Sequence, residues 1–204
     1  MKQLLAAASV CALMIAAPAW AQTSGTQTTT GSETTTTTQG ATGARSTNGA
    51  QALSQQDKTF VEQAGAGNLG EAYLGDLAVK KGATPAVKEF GRWMYTDHGL
   101  VANNWLKAIM SAQGETFEPS LTAEQKQMRQ KLEGLSGRQF DREYIEAQVT
   151  VHEKTIPKFE AEANQGQNPM LKNFAQSMVP VLQQHLAEAR ALAGGAATAA
   201  GERS

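Results

Sequence analysis

Four stretches of this chain place their apolar residues at alternating intervals of three and four, a spacing that fits one face of an α-helix and no strand. In the first, Phe60, Ala64, Gly67, Glu71, Leu74 and Ala78 share a stripe. In the second the stripe is Val87, Phe90, Met94, Val101, Trp105 and Ile109. Phe140, Tyr144, Ile145, Gln148, Val149, His152, Ile156 and Phe159 form the third, and Leu171, Phe174, Met178, Leu182, His185, Ala189 and Leu192 the fourth. No stretch sustains the two-residue alternation of a half-buried strand, so no sheet is expected.

The helix ends carry their own signals. Ser54 is an N-cap with Asp57 three residues on, and Lys80-Lys81-Gly82 suits a helix C-terminus, where cations complement the dipole. Thr84-Pro85 starts the second helix with a capping hydroxyl and a proline at the first position; that helix ends near Gln113-Gly114. Thr122 to Gln125 is a capping box for a short helix ending at Glu133-Gly134, and Ser136 to Gln139 reads as a second box opening the third long helix. Asn168-Pro169 starts the fourth, and Pro157 and Pro180 lie inside the last two, where each should produce a kink. GATPAVKEFGRWM (Gly82 to Met94) and GQNPMLKNFAQSM (Gly166 to Met178) form an internal repeat that shares Gly, Pro, Lys, Phe and Met. The expected fold is all-α: an antiparallel four-helix bundle over residues 54–193, built from two helical hairpins joined by a longer connection with a short extra helix.

The chain ends differ in kind from this domain. Met1-Lys2, the largely apolar run from Leu4 to Ala17 and the small residues Ala19 and Ala21 read as a secretory signal peptide, residues 1–21. The run is too short for a membrane span of roughly 20 residues. Cleavage would remove Cys11, the only cysteine, and leave no disulfide and no thiolate ligand. Residues 22–52 are rich in Thr, Gly and Ser and read as a disordered leader, a spacer or a contact for an envelope partner; residues 194–204 read as a flexible tail. The expected location is the periplasm or the exterior. A formal net charge of −1 argues against a nucleic-acid partner, and no transmembrane segment is expected once the signal is removed.

Four polar residues fall on the apolar stripes: Glu71, His98, His152 and His185, one on each long helix. Glu71 and His98 stand at nearly equal distances from Pro85, and His152 and His185 at nearly equal distances from Pro169, so each hairpin sets its pair side by side. With both hairpin loops at the same end, the two pairs would differ in level by about 4.5 Å, under one turn. Two readings stand. The four side chains can hold a transition-metal ion (Fe, Zn, Cu or Mn) through neutral imidazoles and one carboxylate, or they can form a metal-free buried hydrogen-bond network. Asp97 and Glu153 adjoin two of the histidines but point to other helix faces, which makes them outer partners at most. Asp141 and Tyr144 can add hydrogen bonds or cap the helix. No catalytic triad, phosphate loop or nucleotide fingerprint is present, so no catalytic residue is assigned.

LGEAYLGDLA (Leu69 to Ala78), PAVKEFGRWMYTDH (Pro85 to His98), FDREYIEAQVTVH (Phe140 to His152) and LQQHLAEA (Leu182 to Ala189), behind a signal peptide and a polar leader, resemble the bacterial domain of unknown function 4142 family. The resemblance covers roughly residues 54 to 193, and its most specific part is Met94, Asp97 and His98 with the two later histidines. It implies a ferritin-like bundle in the cell envelope and no known reaction. Di-iron bundles use Glu-x-x-His on two helices, whereas Tyr95, Val149 and Leu182 stand three residues before these histidines. A mononuclear site is the most that the residues support. Three functions follow as expectations: an exported ferritin-like module binding one metal ion, a metal-free structural or stress-related envelope protein, or an oxidoreductase acting on oxygen species.

Overall fold

Residues 52–201 are described by a computed structural model, and the expected signal peptide and almost all of the leader lie outside them. Every regular element among the described residues is a helix: α1 (Gln55–Lys81), α2 (Pro85–Met94), a π-helical segment (Tyr95–Ala102), α3 (Asn103–Ala112), α4 (Ala123–Glu133), α5 (Gly137–Gln165) and α6 (Pro169–Gly201). None of these helices is long and apolar enough to cross a membrane.

Most ends fall where the caps predict. Ser54 and Asp57 form a complete capping box, as do Thr122 and Gln125. The Thr84 hydroxyl accepts the Val87 N–H, and the Asn168 side chain accepts those of Met170 and Leu171. Ser136 is an exception. Its side chain makes no capping bond, because Gly137 begins α5 at φ +60° and turns the backbone out of cap geometry. α6 also continues past Gly194, through an alanine-rich run whose helix propensity outweighs two glycines.

The second rod departs from a simple stripe. Through Tyr95–Ala102 the backbone widens into a π-helix, and the Asn103 N–H bonds to the His98 carbonyl five residues back. The widening rotates everything after it. Ala102, Leu106, Ile109 and Met110 point inward, while Val101 and Trp105, expected in the core, are 50% and 37% exposed. Close backbone approach accompanies this shift. A Cβ on Gly75 would lie 2.6 Å from the Gly91 carbonyl oxygen and 2.7 Å from the Tyr95 nitrogen, so α1 can meet α2 this closely only with glycine there.

Two carboxylates determine how the hairpins stack. Asp57, near the start of α1, accepts the N–H groups of Gln167 and Asn168 in the α5–α6 loop, at 2.9 and 3.3 Å. Asp141, near the start of α5, accepts those of Ala83 and Thr84 in the α1–α2 loop, at 2.7 and 3.0 Å. The loops therefore lie at opposite ends, not at the same end as the level argument assumed. Cross-contacts agree: Phe60 packs on Phe159 with ring centroids 5.0 Å apart, and Gln148 bonds Glu71, so α1 and α5 run antiparallel. The connection from α3 to α5 must then travel the length of α1. Phe117 and Pro119 cover Gly65, Gln125 bonds the Ala66 carbonyl, Arg129 lies over the Tyr73 ring, and Lys81 bonds the Glu133 carbonyl.

Asp141→Ala is expected to cost about 2–3 kcal/mol, the scale for losing charge-assisted hydrogen bonds that leave helix-start donors unpaired. Urea unfolding measures it, and an unchanged midpoint would contradict the bracing role. A second prediction concerns Glu162, buried in the last turns of α5. Burial first, then hydrogen bonding and charge repulsion from Asp57, raise its carboxyl from 4.5 to about 7. The folded state thus keeps a proton that the unfolded chain has released. This contribution to stability is full below about 4.5 and fades as the pH rises through about 7. Glu162→Gln should therefore raise the melting temperature relative to wild type more at pH 8 than at pH 5.

Candidate functional site: a buried histidine cluster

The interior is divided. One apolar cluster gathers around Phe60, Leu106, Phe159 and Phe174, and the other around Leu74, Phe90, Phe140 and Tyr144. Between them lies a polar layer of Asn68, Glu71, His98, Gln148, His152 and His185, all buried. Polar groups in such a layer cost free energy unless something satisfies them.

The three imidazoles are 1–2% exposed and stand edge to face or tilted, with ring centroids 5.3–5.7 Å apart. One ring nitrogen of each lies within 4.8 Å of one from each of the others. His98 comes from the π-segment, His152 from α5 and His185 from α6. One nitrogen of each ring is hydrogen-bonded. His98 Nδ1 faces the Asn68 Oδ1 oxygen, His152 Nδ1 the Gln148 backbone carbonyl and His185 Nε2 the Asp97 carboxylate, each at 2.9 Å. Those partners are acceptors, so each of these nitrogens carries the proton and donates it. The lone pairs then belong to His98 Nε2, His152 Nε2 and His185 Nδ1, and these three atoms are buried without a hydrogen-bond partner.

Glu71 stands beside this group and does not join it. Its carboxylate accepts the Gln148 side-chain N–H at 2.7 Å, and it lines a cavity of about 40 Å³ together with Asn68, His98 and His152. Burial raises its pKa, against the pull of His152 and the Gln148 hydrogen bond. Tyr144, one turn before Gln148, has an unpartnered hydroxyl; burial, then the Glu71 charge, push it well above the usual phenol range. His98 is held well below the ordinary imidazole range, first by burial and then by the positive charges that His152 and His185 carry when protonated.

The sequence therefore placed all three histidines in one buried layer, and Asp97 in the outer position expected of it. Glu153 instead pairs with Arg190 on the surface, and Asp141 caps another hairpin. Asn68 and the backbone of Gln148, which orient two of the rings, were not singled out. Asn68 sits one turn before Glu71 on the same face of α1, which is the signal that could have identified it.

These features define, among the described residues, a helical bundle whose core is split by a polar layer holding a three-histidine cluster. The chain belongs to the family named Domain of unknown function (DUF4142), which matches residues 42–192. Among solved structures it is similar to the crystal structure of a DUF305 fragment from Deinococcus radiodurans, with a TM-score of 0.61 and 12% identity over 70% of this chain and 97% of that one. At that identity the likeness is one of fold. No curated protein matches the chain.

The buried His98 imidazole makes the metal-free state sensitive to acid. The unfolded chain takes up protons below about pH 6.5 and folded His98 does not, so stability falls as pH drops through that value. In a Glu162→Gln background, which removes the opposing slope, the metal-free melting temperature should fall between pH 7.5 and 5.5. His98→Gln should shrink that fall; an unchanged pH slope would show that His98 is not buried neutral.

Proposed function

We propose that this protein is an exported, ferritin-like helical module that binds one transition-metal ion through His98, His152 and His185, with Glu71 as the adjoining carboxylate. One observation carries the reading. Each imidazole has its N–H satisfied by an oxygen and its lone pair buried without a donor. Outer hydrogen bonds of this kind fix the tautomer and orientation of metal-ligating histidines. A metal-free network would instead place donors on those lone pairs, and none is there among the described residues.

The donor set narrows the ion. Three neutral nitrogens with one carboxylate nearby suit zinc, copper or iron, and manganese less, since affinity rises toward copper. Three histidines also leave a coordination position open, as in zinc sites that act on a bound water. The ferritin-like assignment draws on the long connection past α1, the arrangement in which one crossover joins two antiparallel hairpins. Export draws on residues 1–21, and the threonine-rich residues 22–52 would then space the bundle from an envelope partner.

The test is metal titration of protein lacking residues 1–21. One equivalent of Zn(II), Cu(II) or Co(II) should bind, and at 100 times the Kd the stability should rise by about 2.7 kcal/mol. Asn68→Ala should weaken binding roughly 10- to 100-fold, and His152→Gln more. No bound metal and an unmoved melting temperature would remove the reading.

A further inference from the structure

We infer that the cavity beside the histidine cluster is an access cleft through which a small exogenous ligand, neutral or singly anionic and of two or three heavy atoms, reaches the open coordination position. This rests on the metal reading above and assigns the ligand class of that same site.

The cavity lies between α1 and α5. Asn68, Glu71, His98 and His152 form its buried floor, while Gln63 and Lys158 at its rim are exposed, with Gly67 and Thr155 half-buried beside them. It therefore reaches from the surface to His98 and His152, whose Nε2 atoms are buried without a partner. A volume of about 40 Å³ is room for about three waters. That suits a molecule the size of azide, dioxygen or hydrogen peroxide.

Gly67 is the telling residue. Glycine inside a helix costs about 1 kcal/mol relative to alanine, so its position needs a reason. Other α1 glycines have one in close packing: a Cβ on Gly65 would press on Phe117, one on Gly70 on Gln125, and one on Gly75 on Gly91. A Cβ on Gly67 would meet nothing within 4 Å. No neighbour requires glycine there, and what its missing side chain leaves open is the mouth of the cleft. Lys158 puts a cation at that mouth, which favours a small anion over a cation.

The experiment uses Co(II)-loaded protein, with cobalt content measured first and the visible spectrum followed during azide titration. Wild type should bind one cobalt and show a saturable spectral change with azide. Gly67→Leu should keep the cobalt stoichiometry and weaken azide binding by about tenfold or more. Thr155→Leu, which narrows the cleft from α5, should act in the same direction, and Gly67→Ala should remain close to wild type. Bound cobalt with no azide response, or equal azide affinity in wild type and both leucine variants, would overturn the cleft while leaving the metal site standing. Absence of bound cobalt would overturn both.

Discussion

Asp57 and Asp141 each accept two backbone N–H groups from the loop of the opposite hairpin, and the stacking of the whole chain depends on them. Apolar stripes alone do not say which end of one hairpin meets which end of the other, since either orientation buries the same surface. A carboxylate at the entry of a helix does. It satisfies donors that have no partner within the helix and places negative charge where the dipole favours it. With one brace at each end, α1 must run against α5, and the segment from Gln113 to Ser136 must return along α1. The polar layer then falls at mid-height on all four rods.

The braces also account for the internal repeat. A single constant offset along the chain relates Asp57 to Asp141, Phe60 to Tyr144, Thr84 to Asn168, Phe90 to Phe174 and Met94 to Met178. Phe90 and Phe174 fall in the two separate apolar clusters, so the repeat is a pseudo-twofold in which each hairpin supplies the other's cap and one cluster's aromatic ring. The symmetry stops at the site. The same offset pairs His152 with Asn68 and His98 with Leu182. One half contributes a histidine where the other contributes an amide, Asn68, that bonds a different ring (His98), or an apolar wall. The π-segment, which has no counterpart in α6, is the backbone expression of the same asymmetry.

Much of this was legible in the sequence because helix ends are local. Ser54, Thr84, Thr122 and Asn168 act within a turn of themselves, and their boundaries held. The three histidines were legible because period and level place them near the middle of their rods, and mid-rod positions stay level whichever way a hairpin is flipped. This explains why the convergence survived a wrong assumption about the loops. What was hidden is non-local or breaks the period. The braces link residues that are far apart in sequence. The π-segment changes the residues per turn, so a constant-period stripe put Val101 and Trp105 in the core in place of Ala102 and Leu106. Glu71 shares the layer, but Gln148 holds its carboxylate, a contact that no spacing rule reveals.

The polar layer interrupts an otherwise continuous core, and its cost argues for a task. Each buried lone pair without a donor costs about 1–3 kcal/mol, so the three imidazole nitrogens alone forgo a sizeable part of a small domain's stability. A role confined to packing would be served better by apolar side chains of the same volume, which remove the unmet groups altogether. A histidine network kept for specificity would spend its nitrogens on one another or on Glu71. Here the protonated nitrogens all turn to oxygens outside the cluster, and Glu71 turns to Gln148. All three imidazoles leave a buried lone pair unmet within one layer, beside an unpaired Asn68 N–H and an unpaired Gln148 oxygen. A divalent ion is an acceptor of lone pairs, whereas a single water could donate to only two of the three. The one carboxylate in the layer stands next to the group, where its charge would partly offset that of the ion and its raised pKa would fall again on loading. On the proposed metal reading, the core would give up stability in the empty state and recover it on binding a cation.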